Sequence, residues 1–157
     1  MTDHTLWTLD AVRRTRAALL AVADGLPPGA WTATPPGFSN NVLWNLGHVA
    51  VTAELLTYGL AGLDLPAGDA VALFRKGTSP ADWAAPPDAD ATRRLLTDGA
   101  DRLEADVRAG RFDGAPFQPY TTTPGVTIAS LEQALAFDLY HEGLHLGSVL
   151  ALRKHVG

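Results

Sequence analysis

Apolar residues recur at helical spacing in four long stretches of the chain, and the stretches between them are dense in proline and glycine. Leu6, Leu9, Val12, Leu19, Leu20 and Ala23 mark a first helix over about Asp3–Asp24, closed by Gly25 with Pro27 and Pro28 just beyond. Leu26 to Phe38 holds four prolines and two glycines and predicts a loop. Ser39 is a suitable N-cap for a second helix from Asn40 to about Leu60. Leu65–Lys76 predicts a short helix. Asp88–Ala109 predicts an amphipathic one, on Leu95, Leu96, Leu103 and Val107, ended by Gly110. Arg111–Gly125 reads as irregular. The last helix begins at Thr127 or Ser130, where Ser130 and Gln133 have capping-box spacing, and runs to about Lys154. Alternation typical of strands is nearly absent. The pattern predicts an all-α chain, a four-helix bundle forming one domain over residues 1–157.

Composition narrows the function classes. Twelve Lys and Arg against 17 Asp and Glu give a net charge of −5, which leaves no basic footprint for nucleic acid. No apolar run reaches the roughly 18 residues of a membrane span. The polar start Met1-Thr2-Asp3-His4 has no secretory pattern, so a soluble, cytoplasmic protein with a small-molecule substrate is expected. The chain has no cysteine, which removes disulfides, thiolate ligands and a cysteine nucleophile together.

Histidine carries the candidate chemistry. His141 and His145 are four apart in the last helix, about 40° apart around its axis and one turn along it. Spacing alone fits either two ligands of one metal ion or a pair of hydrogen-bonded core histidines. His48 lies mid-way along the second helix, on a face shared with Asn41, Trp44, Thr52 and Leu55, with Glu54 on the opposite side. In a bundle such a residue can meet two histidines of a facing helix. Three imidazoles with open positions is the pattern of catalytic zinc sites. The set His48, His141 and His145 is therefore preferred to three separate core histidines.

His141-Glu142-Gly143-Leu144-His145 also matches the H-E-x-x-H pattern of zinc peptidases, in which the Glu is the general base. The longer metzincin form fails, because Ser148 and Ala151 stand where it needs Gly and His. His155, near the C-terminus, is the only histidine downstream of the pattern. The peptidase reading is disfavoured.

The segment Asn40-Asn41-Val42-Leu43-Trp44-Asn45-Leu46-Gly47-His48, followed by His141-Glu142-Gly143-Leu144-His145-Leu146-Gly147, resembles the DinB-like superfamily, near its bacillithiol S-transferase branch. The resemblance covers nearly the whole chain. It implies an up-up-down-down four-helix bundle and a divalent metal, often zinc or nickel, on His48, His141 and His145. One departure is that many members read His-x-Gly-Gln at the last ligand, where this chain has His145-Leu146-Gly147-Ser148.

The resemblance further implies a metal-dependent transferase that uses a low-molecular-weight thiol on a small electrophile. Glu142 is a candidate base, although it lies about 80° from the midpoint of the two ligands on the helical wheel. Asn41 and Tyr140 are candidate supporting residues. Two alternatives use the same ligands. One is metal-assisted hydrolysis, and the other is a non-catalytic metal- or ligand-binding bundle; a homodimer is expected. Trp31, Trp83, Phe117 and Tyr120, in or near the loops, are candidates to line a cleft or a subunit interface.

Overall fold

The structure, a computed structural model, describes residues 2–157. Helix α1 spans Asp3–Asp24 and α2 spans Val42–Glu54, the latter running into a π-helical turn at Leu55–Gly59. A short α3 covers Ala70–Phe74, α4 covers Ala89–Arg108 and α5 covers Leu131–Val156. The sequence pattern placed α1 and α4 closely. It misplaced the start of α2: Asn41, not Ser39, is the N-cap, its side chain accepting the Trp44 N–H at 2.8 Å. The chain before it is held by Trp31, whose carbonyl accepts the Leu43 N–H. Helix α5 starts from Ser130 as its cap, and the Gln133 side chain reaches back to the Ala129 N–H. Gly110 ends α4 at a φ of +74°, a left-handed turn that a Cβ would disfavour.

The four long helices form a bundle in which α1 and α2 each pack on both α4 and α5. Their directions correct the expected up-up-down-down order. Arg13 and Asp24 of α1 pair with Glu104 and Arg93 of α4, so these two are antiparallel. Glu54 and Tyr58 pair with Arg102 and Asp106, so α2 runs parallel to α4. Asn45 and His48 meet His145 and His141, which makes α5 antiparallel to α2. The order is up-down-down-up. The physical reason is that the proline-rich loop turns straight back at Trp31, whose indole N–H caps the Ala23 carbonyl at 2.8 Å, so α2 starts beside the end of α1. The long crossover is instead the 55–88 segment carrying α3.

Helix α2 is buried on every side from Val42 to Val51, because α3, α4 and α5 surround it. Glu54, expected on a solvated face, is buried too. Its carboxylate accepts the Ala67 N–H of the covering loop and faces Arg102. Residues 111–125, read as irregular, contribute one strand of a small hairpin, Tyr120–Thr121 paired antiparallel with Thr127–Ile128. No helix among the described residues is long and apolar enough to cross a membrane.

Candidate metal centre

His48 on α2 and His141 and His145 on α5 converge, with one ligand nitrogen of each lying within 4.8 Å of the others. His141 Nε2 is 3.3 Å from His48 Nε2 and 3.1 Å from His145 Nε2. Nitrogens bound about 2.0–2.1 Å from a tetrahedral zinc ion stand about 3.3 Å apart, so the spacing fits one shared ion. The opposite ring nitrogens orient two of the imidazoles. His48 Nδ1–H donates to the Phe74 carbonyl at 2.7 Å, and His145 Nδ1–H donates to Asn45 Oδ1 at 2.7 Å. Those donations leave the Nε2 lone pairs of both rings turned towards His141 Nε2, with Thr52 Oγ1 also 3.4 Å from His48 Nε2, an arrangement that a cation completes. His141 Nδ1 is buried without a protein partner.

Burial also fixes the protonation state. It pushes His141 down to about 4, with the His48 charge adding to the effect, and His145 down to about 3, with His141 and His48 adding. His48 is lowered by burial as well, against the opposing pull of the Phe74 carbonyl. All three are therefore neutral at pH 7, the form that ligates a metal.

Local packing explains the residues around His48. The Trp44 ring stacks on it at 4.4 Å between centroids and is itself held by a hydrogen bond from its indole N–H to Thr78 Oγ1. Gly47 is required for a steric reason: a Cβ there would stand 2.4 Å from the Phe74 ring. Without a side chain at 47, α3 lies directly on α2 and brings the Phe74 carbonyl to His48.

His48 and His141 form part of the wall of a cavity of about 730 Å³. Leu55, Leu56, Leu60, Phe137 and Leu144 make it mainly apolar, and the π-helical turn supplies the first two. The hairpin covers it with Tyr120, Thr122 and Thr123, and Lys76, at the edge, donates to Thr123 Oγ1 at 2.7 Å. Lys76 is the one Lys, Arg, Asp or Glu among the described lining residues.

Glu142, expected as a candidate base, does not line this cavity. Its side chain is fully buried on the far side of α5, where Arg16 Nε donates to Oε1 at 2.8 Å. Asp138, one turn earlier, is equally buried. Burial and the Glu142 charge push its carboxyl well above the usual carboxylate range. Glu142 is raised by burial and held back by Arg16, so the two carboxyls share one guanidinium as their nearest cation. The position is a core ion-pair cluster, and a base there has no access to substrate. Of the other residues singled out in the sequence, Tyr140 and Tyr120 do line the cavity, whereas Asn41 serves as the cap of α2. Trp31 caps α1, while Trp83 packs on Phe74 and Phe117 on the core. His155 lies against Phe38, away from the centre. Asn45 and the Phe74 carbonyl, which set the ligand tautomers, went unread. Asn45 could have been found three residues before His48 on a buried helix, while a backbone carbonyl acceptor leaves no trace in residue type.

A search of curated proteins found no match. The family model of the DinB superfamily matches residues 11–149, from α1 through the histidine pair of α5. The match includes all three converging histidines, and the chain belongs to the DinB superfamily.

Proposed function

We propose that the protein is a divalent-metal-dependent transferase that joins a low-molecular-weight thiol to a small electrophile, with His48, His141 and His145 as the metal ligands. Three neutral imidazoles suit zinc or nickel. A metal held there would supply Lewis acidity, keeping a bound thiol as its thiolate near neutral pH. The chain's own residues bind and orient. Asn45 and the Phe74 carbonyl hold the ligand rings, and Leu55, Leu56, Leu60 and Phe137 exclude water from an apolar reactant.

The observation that carries this reading is the absence of any carboxylate among the described cavity-lining residues. Hydrolysis at a metal centre ordinarily recruits a positioned base to handle the proton of water. A thiol loses its proton far more readily, so the site can work without one. The chain has no cysteine, so the nucleophilic sulfur has to arrive with a substrate.

The test is elemental analysis of untagged protein, followed by thiol conjugation to 1-chloro-2,4-dinitrobenzene beside a panel of esters and amides. His48→Ala, His141→Ala and His145→Ala should each lose most bound metal and conjugation, and His155→Ala should match the parent. Thiol-independent hydrolysis, or conjugation indifferent to metal, would overturn the proposal.

A further inference from the structure

The histidine cluster faces a second hollow. On the far side of Leu144 lies a cleft of about 560 Å³, lined among others by Ser39, Asn40, Asn45, His145, Gly147 and Ser148. Leu144 lines both spaces. His141 belongs to the wall of the cavity and His145 to that of the cleft, and their Nε2 atoms are 3.1 Å apart. The prospective metal ligands thus form a partition between the two.

The chemistries of the two sides differ. The cavity offers leucine and phenylalanine side chains, which would strip the hydrogen bonds from a hydrophilic molecule without replacing them. The cleft offers the Asn40 amide and the hydroxyls of Ser39 and Ser148 beside Phe38 and Leu152, the Asn45 amide being engaged by His145 and Asn41, with no Lys, Arg, Asp or Glu among its described lining residues. Gly147 adds a separate observation. A glycine inside a helix weakens it relative to alanine. At Gly47 packing explains the choice. At Gly147, as at Gly143, a Cβ would meet no atom within 4 Å, so nothing in the chain's own packing calls for glycine, and of the two only Gly147 lines the cleft. What a side chain at 147 would occupy is the cleft.

We propose that this cleft is the binding site of the thiol co-substrate, a small molecule with a hydrophilic, uncharged body, and that the apolar cavity takes the electrophile. The inference rests on the transferase reading. The two reactants approach the histidines from opposite sides of Leu144, and each keeps surroundings matched to its polarity. With an aryl chloride, the thiolate sulfur forms a bond to the ring carbon and the carbon–chlorine bond breaks. Chloride leaves with the electron pair, and the thiol proton passes to solvent.

The experiment uses the metal-loaded full chain, with N-acetylcysteinamide as thiol and 1-chloro-2,4-dinitrobenzene as electrophile. Thiol binding is read by calorimetry and the two KM values by steady-state kinetics. Gly147→Leu, and independently Ser148→Leu, should weaken thiol binding and raise the thiol KM by about tenfold. Bound metal and the KM for the aryl chloride should hold, with Tm no lower for Gly147→Leu. Leu60→Trp should do the converse, raising only the aryl chloride KM. If the parent conjugates the thiol but both cleft variants leave thiol affinity and KM within twofold, the cleft assignment falls and the transferase reading stands. If the parent neither binds nor conjugates the thiol, both fall.

Discussion

Replacing Gly47 by alanine tests the steric link between the fold and the metal centre. The added Cβ would lie 2.4–2.5 Å from three atoms of the Phe74 ring, more than 1 Å inside ordinary contact. Phe74 is only 2 % exposed and packs against Trp83, so the ring has little room to withdraw. Overpacking of this kind costs about 1–3 kcal/mol. Moving α3 outward also weakens the bond from His48 to the Phe74 carbonyl, worth about 1 kcal/mol. The better helix propensity of alanine returns about 1 kcal/mol. The net expectation is a loss of about 1–3 kcal/mol, or roughly 2–10 °C in Tm for a chain of this size. Metal affinity should fall by about 10- to 100-fold, the usual effect of disturbing the group that orients a ligand. Denaturant titration with and without metal, together with competition against a chromophoric chelator, measures both. Phe74→Leu in the Gly47→Ala background should recover part of the metal affinity by removing the clashing ring. A Gly47→Ala protein as stable as the parent, with unchanged metal affinity, would refute the reasoning.

Four further outcomes follow from the same geometry. Metal affinity should stay nearly flat from pH 8 down through the usual histidine value of about 6.5 and fall steeply only at lower pH, since burial holds His141 near 4 and His145 near 3 and lowers His48 as well; a midpoint near 6.5 would contradict this. The metal-free fold should lose stability as pH drops from about 6.5 towards 4, because the unfolded state takes up protons that the buried imidazoles refuse, and denaturant midpoints across that window give the sign. Arg16→Ala should cost about 3–5 kcal/mol by leaving Glu142 and Asp138 buried without their cation, as read by denaturant unfolding. Glu142→Gln should keep conjugation per folded molecule within a few-fold, where loss of a catalytic base would cost 100-fold or more.

How far the sequence revealed the site depends on what kind of interaction each residue makes. Helical periodicity found α1 and α4 because each presents one polar and one apolar side. It also placed His48 opposite the pair on α5, since a histidine in the middle of an apolar stretch has few places to go. Periodicity gave no information about which side of α2 faces outward, because none does: Glu54 is as buried as His48. Helix direction was illegible for a related reason. Loop length did not reveal whether the chain turned back at Trp31 or crossed the bundle, and that was decided by hydrogen bonds from Trp31 to Ala23 and Leu43.

Helix α5 shows why the H-E-x-x-H pattern misleads here. Adjacent helical residues point about 100° apart, and here His141 and Glu142 turn to different neighbours. His141 and His145 turn towards α2, while Glu142, with Asp138 a turn below, turns towards Arg16 on α1. The helix therefore carries two polar rows into two different interfaces, one of imidazoles and one of carboxyls. The carboxyl row faces a guanidinium within the chain: Arg16 Nε donates to Glu142 Oε1, while both Asp138 oxygens and Glu142 Oε2 make no hydrogen bond. The imidazole row presents free nitrogen lone pairs to one another, and no cationic side chain reaches them. Had Glu142 been the base of a peptidase, its row would open on the cavity and Arg16 would be absent from it. The guanidinium at 2.8 Å makes Glu142 part of the scaffold, buried between helices, whereas His141 of the other row opens on the cavity.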